Sequence, residues 1–429
     1  MNKSLIKIIV FLILLIFFIN GFSASFTSHD ISNLAYVLAL GIDIGENAKL
    51  KISAQFSTPD ASSSDSKSSE KDSGQIVLVS GEADSIFSGL SLINSYIGKE
   101  LNLAHCNLIV FSEDFAKQGI ATQIYSFINN EEIRPSTNIL ISKCDAYDYL
   151  DNVKPSLEKI TVQYYDTFSI SNRLTGYFEN ITIGDFYNKL SSKATCPVAI
   201  LGGLDVTARN KKSSEASSSS DMQAGSDPLK SENIIINTED LIAGSSSIEG
   251  KLGIENIGLA IFKENKLCGE LTAMETICHL LITDSLDSCV ISIDDPFRNS
   301  EKAELSISPK SKSKITIIVK DGIPHISVKL SVDAYGLTLD ENTNYETHNS
   351  VELFSKTAKE YLEKQFNNYF NKVSKEYGTD IDYFATKALV NFSTMGEWEE
   401  YNWPEKFKEA QFDISIDVNL ISSLLVTKT

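Results

Sequence analysis

The sequence predicts an α+β protein of several domains, in which mixed sheets carry packed helices behind an N-terminal hydrophobic segment. Three observations carry this prediction. Residues 36 to 200 alternate strand and helix patterns, which puts helices on a mixed sheet. Residues 257 to 420 read as strands first, then one long helix, then a returning strand. Residues 1–24 differ from both, with Lys3 and Lys7 ahead of an unbroken apolar run from Ile8 to Ile19.

That leader has the pattern of an export signal, a basic stretch followed by an apolar one. Extended through Phe22 it holds about fifteen residues, short of the ~20 that span a bilayer comfortably. Two fates are open: cleavage after Ser23, where Gly21 and Ser23 are small, or retention as an anchor. Either way the remainder is expected outside the cytoplasm.

In the region 25–210, Tyr36 to Ile42 reads as a buried strand. Leu50 to Phe56 and Gln75 to Val79 are strands on either side of a Ser-rich stretch, residues 57–74, which is expected to be an enlarged hairpin loop. Asp84 to Ile97 places Phe87, Leu90, Ile93 and Ile97 at helical spacing. Asn107 to Phe111 is a strand, Glu113 to Asn130 a helix, Asn138 to Ser142 a strand, and Ile183 to Ser192 a helix ahead of the strand at Pro197 to Ile200. A second Ser-rich stretch, 211–232, is expected to be a disordered linker and the main domain boundary.

The region 233–429 opens with strands at Ile257 to Lys263, Cys289 to Ile293, Glu304 to Ser308 and Lys314 to Val319. Ile326, Val328, Leu330 and Val332 then alternate with polar residues, a strand with one wet face. Val351 to Tyr377 is the longest helix, with a core stripe from Phe354 through Phe366 and Tyr369 to Val373. Phe412 to Leu420 alternates as a closing strand.

With 38 Lys and Arg against 57 Asp and Glu, the net charge is −19, which repels phosphate backbones and excludes nucleic acid as a partner. Cys106, Cys144, Cys196, Cys268, Cys278 and Cys289 have no framework or metal spacing and are expected to act as small hydrophobes. A bridge from Cys268 to Cys278 or Cys289 stays open. The sequence has no phosphate-cradling glycine loop, GxSxG or HExxH. Its five histidines, His29, His105, His279, His325 and His348, stand singly, with no partner in sequence to make a base or metal site. Adjacent acids such as Asp294-Asp295 point apart, although carboxylates distant in sequence can meet in a fold. No catalytic residue, cofactor or metal site is therefore expected.

Three stretches resemble one family. His29 to Asp43 ends in Gly41-Ile42-Asp43, similar to the opening strand of the Ger(x)C spore-germination family. Ala104-His105-Cys106-Asn107 and the apolar strand after it resemble the family's Gly-His strand, with Ala104 in place of Gly. Gly258 to Thr276, with Phe262, Lys266, Gly269, Glu275 and Thr276, is similar to the family's most specific signature, and Gln365 and Trp403 fall where it has a Lys-x-Gln helix and a late Trp.

The resemblance implies a lipoprotein-like subunit of a nutrient-germinant receptor on the outer face of the inner spore membrane, without a reaction or cofactor. Its implied partners are an A-type and a multi-spanning B-type subunit. The family's lipid-bearing Cys is absent: the run here is Ile19-Asn20-Gly21-Phe22, and Phe22 has no thiol to lipidate. The competing readings are an exported substrate-binding or envelope adaptor protein unrelated to sporulation, and an envelope hydrolase whose carboxylates meet only in three dimensions.

Overall fold

The computed structural model describes residues 11–12, 34–57, 76–155, 161–218, 237, 239–298, 301–337 and 348–421. Most of the leader, with Phe22, and most of both Ser-rich stretches lie outside these residues.

In chain order the first body contains β1 (Leu34–Ile44), β2 (Leu50–Ser57), β3 (Ile76–Ala83), α1 (Ile86–Ile97), β4 (Glu100–Asn102), β5 (Leu108–Ser112), α2 (Glu113–Gln118) and α3 (Ala121–Ile128). It continues through β6 (Asn138–Ser142), α4 (Ala146–Asp151), α5 (Thr161–Thr175), α6 (Ile183–Leu190), β7 (Val198–Leu204), α7 (Val206–Ser218), β8 (Ile254–Lys263), β9 (Lys266–Leu271) and α8 (Ala273–Ile282). The second body comprises β10 (Cys289–Asp294), β11 (Lys302–Pro309), β12 (Lys314–Lys320), β13 (Ile323–Gly336), α9 (His348–Phe370), a π-helical turn Asn371–Tyr377, α10 (Phe384–Ala388), α11 (Met395–Tyr401), α12 (Trp403–Phe407) and β14 (Gln411–Leu420).

The first sheet runs β3-β2-β1-β5-β6-β7-β8-β9, with β4 pairing β1. Its centre, β1, β5, β6 and β7, is parallel, and both of its outer hairpins are antiparallel. The parallel strands are near-continuous apolar runs with almost every residue buried, as a strand covered on both faces must be. The helices between them supply the crossovers. β2 and β3 pair from Leu50↔Ala83 to Ser57↔Ile76, so the first Ser-rich stretch does join the two arms of a hairpin.

The second sheet runs β10-β11-β13-β12, with β14 parallel to β13. β13 buries Ile326, Val328, Leu330 and Val332 on one face, and α9 lies across the neighbouring β14 on that side. The alternation in the sequence was enough to define this strand.

Several expectations need correction. The boundary at 211–232 does not separate the sheets, because β8 and β9 follow it and complete the first sheet. Residues up to Ser218 in that stretch belong to α7. The helix expected over Glu113 to Asn130 breaks at Gly119, whose φ of 115° no helix accommodates. In α1 the core face is Ile86, Leu90 and Ile93, and Phe87 is 45% exposed. The stripe of α9 is core as expected, but the long helix changes from α to π at Asn371.

Candidate functional site

The residues singled out from the sequence fall into joints of the fold. At the first, β1 passes under α4. A Cβ on Gly41 would stand 3.0 Å from the Leu150 side chain and 3.2 Å from that of Ala146. Two residues on, the buried carboxylate of Asp43 accepts from the backbone N–H groups of Ala146 (2.7 Å) and Tyr147 (3.0 Å). These are orphan donors of the first turn of α4, which favours a negative charge there. Burial nevertheless holds the Asp43 carboxyl above its ordinary range, against these bonds. His105 stands apart, exposed in the turn before β5, with its ring edge-on to Tyr36 at 5.1 Å.

The second joint is the β8–β9 hairpin. Lys263 pairs with Lys266 around the two-residue turn Glu264-Asn265, as the turn chemistry predicts, and Glu264 has φ 56°. Lys266 is exposed; Phe262 is fully buried, edge-on to Phe186 at 5.0 Å. Gly258 has φ 94°, and a Cβ there would collide with the Leu271 carbonyl oxygen. Gly269 has no positive φ. It is needed because a Cβ would stand 2.5 Å from Tyr377 Cε2 and 2.7 Å from Cε1.

The Tyr377 ring belongs to the π turn of the second body, and other signature residues reach the same turn. Lys263 Nζ donates to the Tyr377 carbonyl at 3.2 Å. Glu275 closes a capping box with Thr272, accepting from the Thr272 N–H at 2.8 Å, and also binds Lys372 Nζ at 2.7 Å. The Thr276 hydroxyl donates to the Thr272 carbonyl at 2.8 Å. The signature is therefore a seam, the edge of the first sheet fastened to a π turn. Such turns occur often at functional sites.

One turn after Thr276, the structure overturns the view of His279 as partnerless. The ring is 0% exposed. Its Nδ1 lies 2.7 Å from Asp382 Oδ1, and its Nε2 lies 3.3 Å from Glu179 Oε2. The Tyr369 hydroxyl sits 2.7 and 2.8 Å from the two Asp382 oxygens. Burial alone would lower the imidazole pKa, but its bonds to Asp382 and Glu179 push it up to about 9, so at neutral pH both ring nitrogens carry protons and donate. Lys189 stands over the Tyr383 ring at 4.6 Å beside this cluster; burial lowers its pKa against the pull of Glu179, Asp185 and Asp382.

Next to it, Asp380 accepts from the N–H groups of Phe384 (3.0 Å) and Ala385 (2.6 Å) and from the Trp403 indole (3.0 Å), while burial pushes its carboxyl up to about 7. The late Trp thus fixes the start of α10 through Asp380. The arrangement can pin the first body to the second with a buried charge pair. As it stands, the imidazole has no free lone pair and no open side, both of which a general base needs.

Sequence reasoning missed this cluster because its members are far apart in the chain, 100 residues from His279 to Glu179 and 103 to Asp382. One signal was available: from Ile277 to Ile282 every residue of α8 but His279 is apolar, and a histidine inside such a stretch must be partnered. The pattern does not say which carboxylate does so. The six cysteines are all free, with Cys106, Cys278 and Cys289 buried. No bridge joins Cys268 to Cys278 or Cys289.

Two sheets with helices packed on them, joined at such a seam, define a mixed α+β protein. Two family models match the chain: a spore germination protein N-terminal domain over residues 27–202, and a spore germination B3/GerAC-like C-terminal domain over residues 257–423. The putative spore germination protein YfkR of Bacillus subtilis (strain 168) is 19% identical over 343 residues, 79% of this chain and 76% of that protein. The crystal structure of the GerBC protein matches with a TM-score of 0.51 and 17% identity, covering 89% of this chain and 97% of that one, which shows a shared fold. The chain belongs to the Ger(x)C family of spore germinant-receptor subunits. Among the described residues, no helix is long and apolar enough to cross a membrane.

Proposed function

We propose that the chain is a non-enzymatic subunit of a nutrient-germinant receptor, held at the outer face of the inner spore membrane and working by binding the A-type and B-type subunits. One observation carries this reading: apart from His105 and Lys266, which are exposed, the family positions are spent on the fold. Gly41 and Asp43 seat α4, Gly258 and Gly269 allow close approaches, and Glu275 and Thr276 start α8 and fasten it to the π turn. The histidine that does have carboxylate partners is sealed between the bodies. The family match makes a receptor role the favoured one over an unrelated envelope adaptor.

Tethering, in this reading, comes from the apolar stretch Leu5 to Phe22, since Phe22 offers no thiol for a lipid. Mass spectrometry of the spore-derived protein is expected to find that stretch intact. An N-terminus at Ala24 or later would leave attachment to the partners alone. The binding role itself is tested by purifying the tagged chain from detergent-solubilised spore membranes. Both partner subunits are expected to come with it at fixed ratio; recovery of the chain alone from germination-competent spores would refute the role.

A further inference from the structure

The first sheet ends at β3, and that end is open. Among the described residues, no backbone hydrogen bond leaves β3 for any element but β2. An edge strand presents a row of unpaired N–H and C=O groups, and proteins blunt such edges with Lys, Pro, bulges or a covering segment. The second sheet shows such guards. Its edge strand β12 begins at Lys314 and ends at Lys320, and the Asn391 amide donates to the Ile317 carbonyl at 3.2 Å. β3 has none of them. It reads Ile-Val-Leu-Val-Ser-Gly-Glu-Ala, without Lys or Pro, and follows β2 along its whole length with no break in register.

Helix α1 overhangs this edge. Gly89 lies over Ile52 of β2, and Leu92, nearly one turn on, lies over Gly81 of β3, where a Cβ would stand 3.2 Å from Leu92 Cδ2. Tyr96 follows four residues later on the same flank. Leu92 is 50% exposed and Tyr96 80%. Between Ile76 and Ile97 the charged residues are Glu82 and Asp84 alone, in a chain with 57 acids. Glu82 is turned aside, accepting from the N–H groups of Glu46 (3.2 Å) and Asn47 (2.7 Å), and Asp84 lies past the end of the strand.

The two features together identify the occupant. An open edge pairs with an extended backbone, which a lipid surface lacks. A two-fold axis perpendicular to the sheet sets the edge antiparallel to itself and keeps both α1 helices on one side, so Leu92 and Tyr96 meet their own counterparts. Directly opposite residues share a face, so the strand pairs with itself about a single residue. Centred on Val79, this register sets Glu82 opposite Ile76, and no like charges face each other. Two copies that each carry −19 approach most readily where charge is sparse, as it is here.

We propose that β3 and α1 form the joint of a homodimer, in which the first sheet runs continuously through both copies. The joint belongs to this chain whatever else it binds, so co-purification of other subunits neither supports nor weakens it.

Its test places benzoylphenylalanine at position 96 of the full chain in spores for photo-crosslinking. A parallel measurement takes the mass of the native chain, solubilised in detergent, by light scattering. The expected adduct joins two copies, with its far end on α1 or β3, and the expected mass is that of a dimer. Tyr96→Glu, at an exposed position, should keep a cooperative melt and raise the dimer dissociation constant about ten-fold or more. Ser80→Lys, also exposed, supplies the guard that β3 lacks and should act likewise. A monomeric native chain, an adduct to lipid or to another protein in place of a second copy, or a dimer indifferent to both substitutions overturns the proposal.

Discussion

At His279 the folded protein holds a proton that the unfolded chain releases. Its pKa is about 9 in the fold against 6.5 for a free imidazole, so between those values the folded state binds more protons and stability falls as pH rises. The contribution is complete below pH 6.5 and lost as pH passes 9, a span worth about 3 kcal/mol. Asp380, held near 7 against 3.8, loses its own contribution at lower pH, so the interval from 7 to 9 isolates the histidine from it. Urea unfolding across that interval should show a steeper decline in the native chain than in His279→Gln, which keeps only the slope of the thiols that burial holds above their ordinary range. Equal slopes would mean that the ring is neutral in the fold. The glycines separate two causes of intolerance. At Gly258 a side chain meets both a positive φ and a backbone carbonyl, neither of which can yield, and Gly258→Ala should cost about 3 kcal/mol or more. At Gly269 the obstacle is the far end of the Tyr377 side chain, which can swing away; Gly269→Ala should cost about 1–2 kcal/mol, and thermal melts of the pair give the order.

At the scale of elements, the sequence pattern was a good guide wherever one face of a segment is buried. Alternation located β13 and β14, and unbroken apolar runs located β5 and β6. It failed where a backbone feature breaks the period: at Gly119, where the expected helix divides, and at Asn371, where α9 passes into a π turn. Neither event changes hydrophobic periodicity enough to be seen. The joint at Asp43 was visible only as a family resemblance, because the helix it caps begins at Ala146, far along the chain. Asp43→Ala should therefore destabilise by about 1–2 kcal/mol, as the loss of a helix cap does, and denaturant midpoints measure it. The hairpin of β2 and β3 makes the reverse prediction. Its arms pair from Leu50 to Ser57 without help from the chain between them. Removing residues 61–71 changes the closure entropy by only about 1 kcal/mol and should preserve a cooperative melt.

At the scale of the molecule, composition marked the stretch at 211–232 as a change in texture, but a helix runs into it as far as Ser218 and the first sheet continues beyond it. Strand pairing between β7 and β8 is a long-range event, and no local pattern encodes which edge a hairpin joins. The same holds for the seam, where Glu179, His279, Tyr369 and Asp382 converge from three regions of the chain. The central claim is that these polar groups hold the two bodies together and that function lies in binding. It is tested most directly by the germination rate of spores carrying His279→Gln, read against the amount of folded, partner-bound chain they contain. The prediction is a rate that falls only in proportion to that amount, with His105→Gln, at an exposed turn, unchanged from the native chain. A His279→Gln chain that is folded, abundant and bound to its partners, in spores that do not germinate, would contradict it and assign the histidine a chemical role.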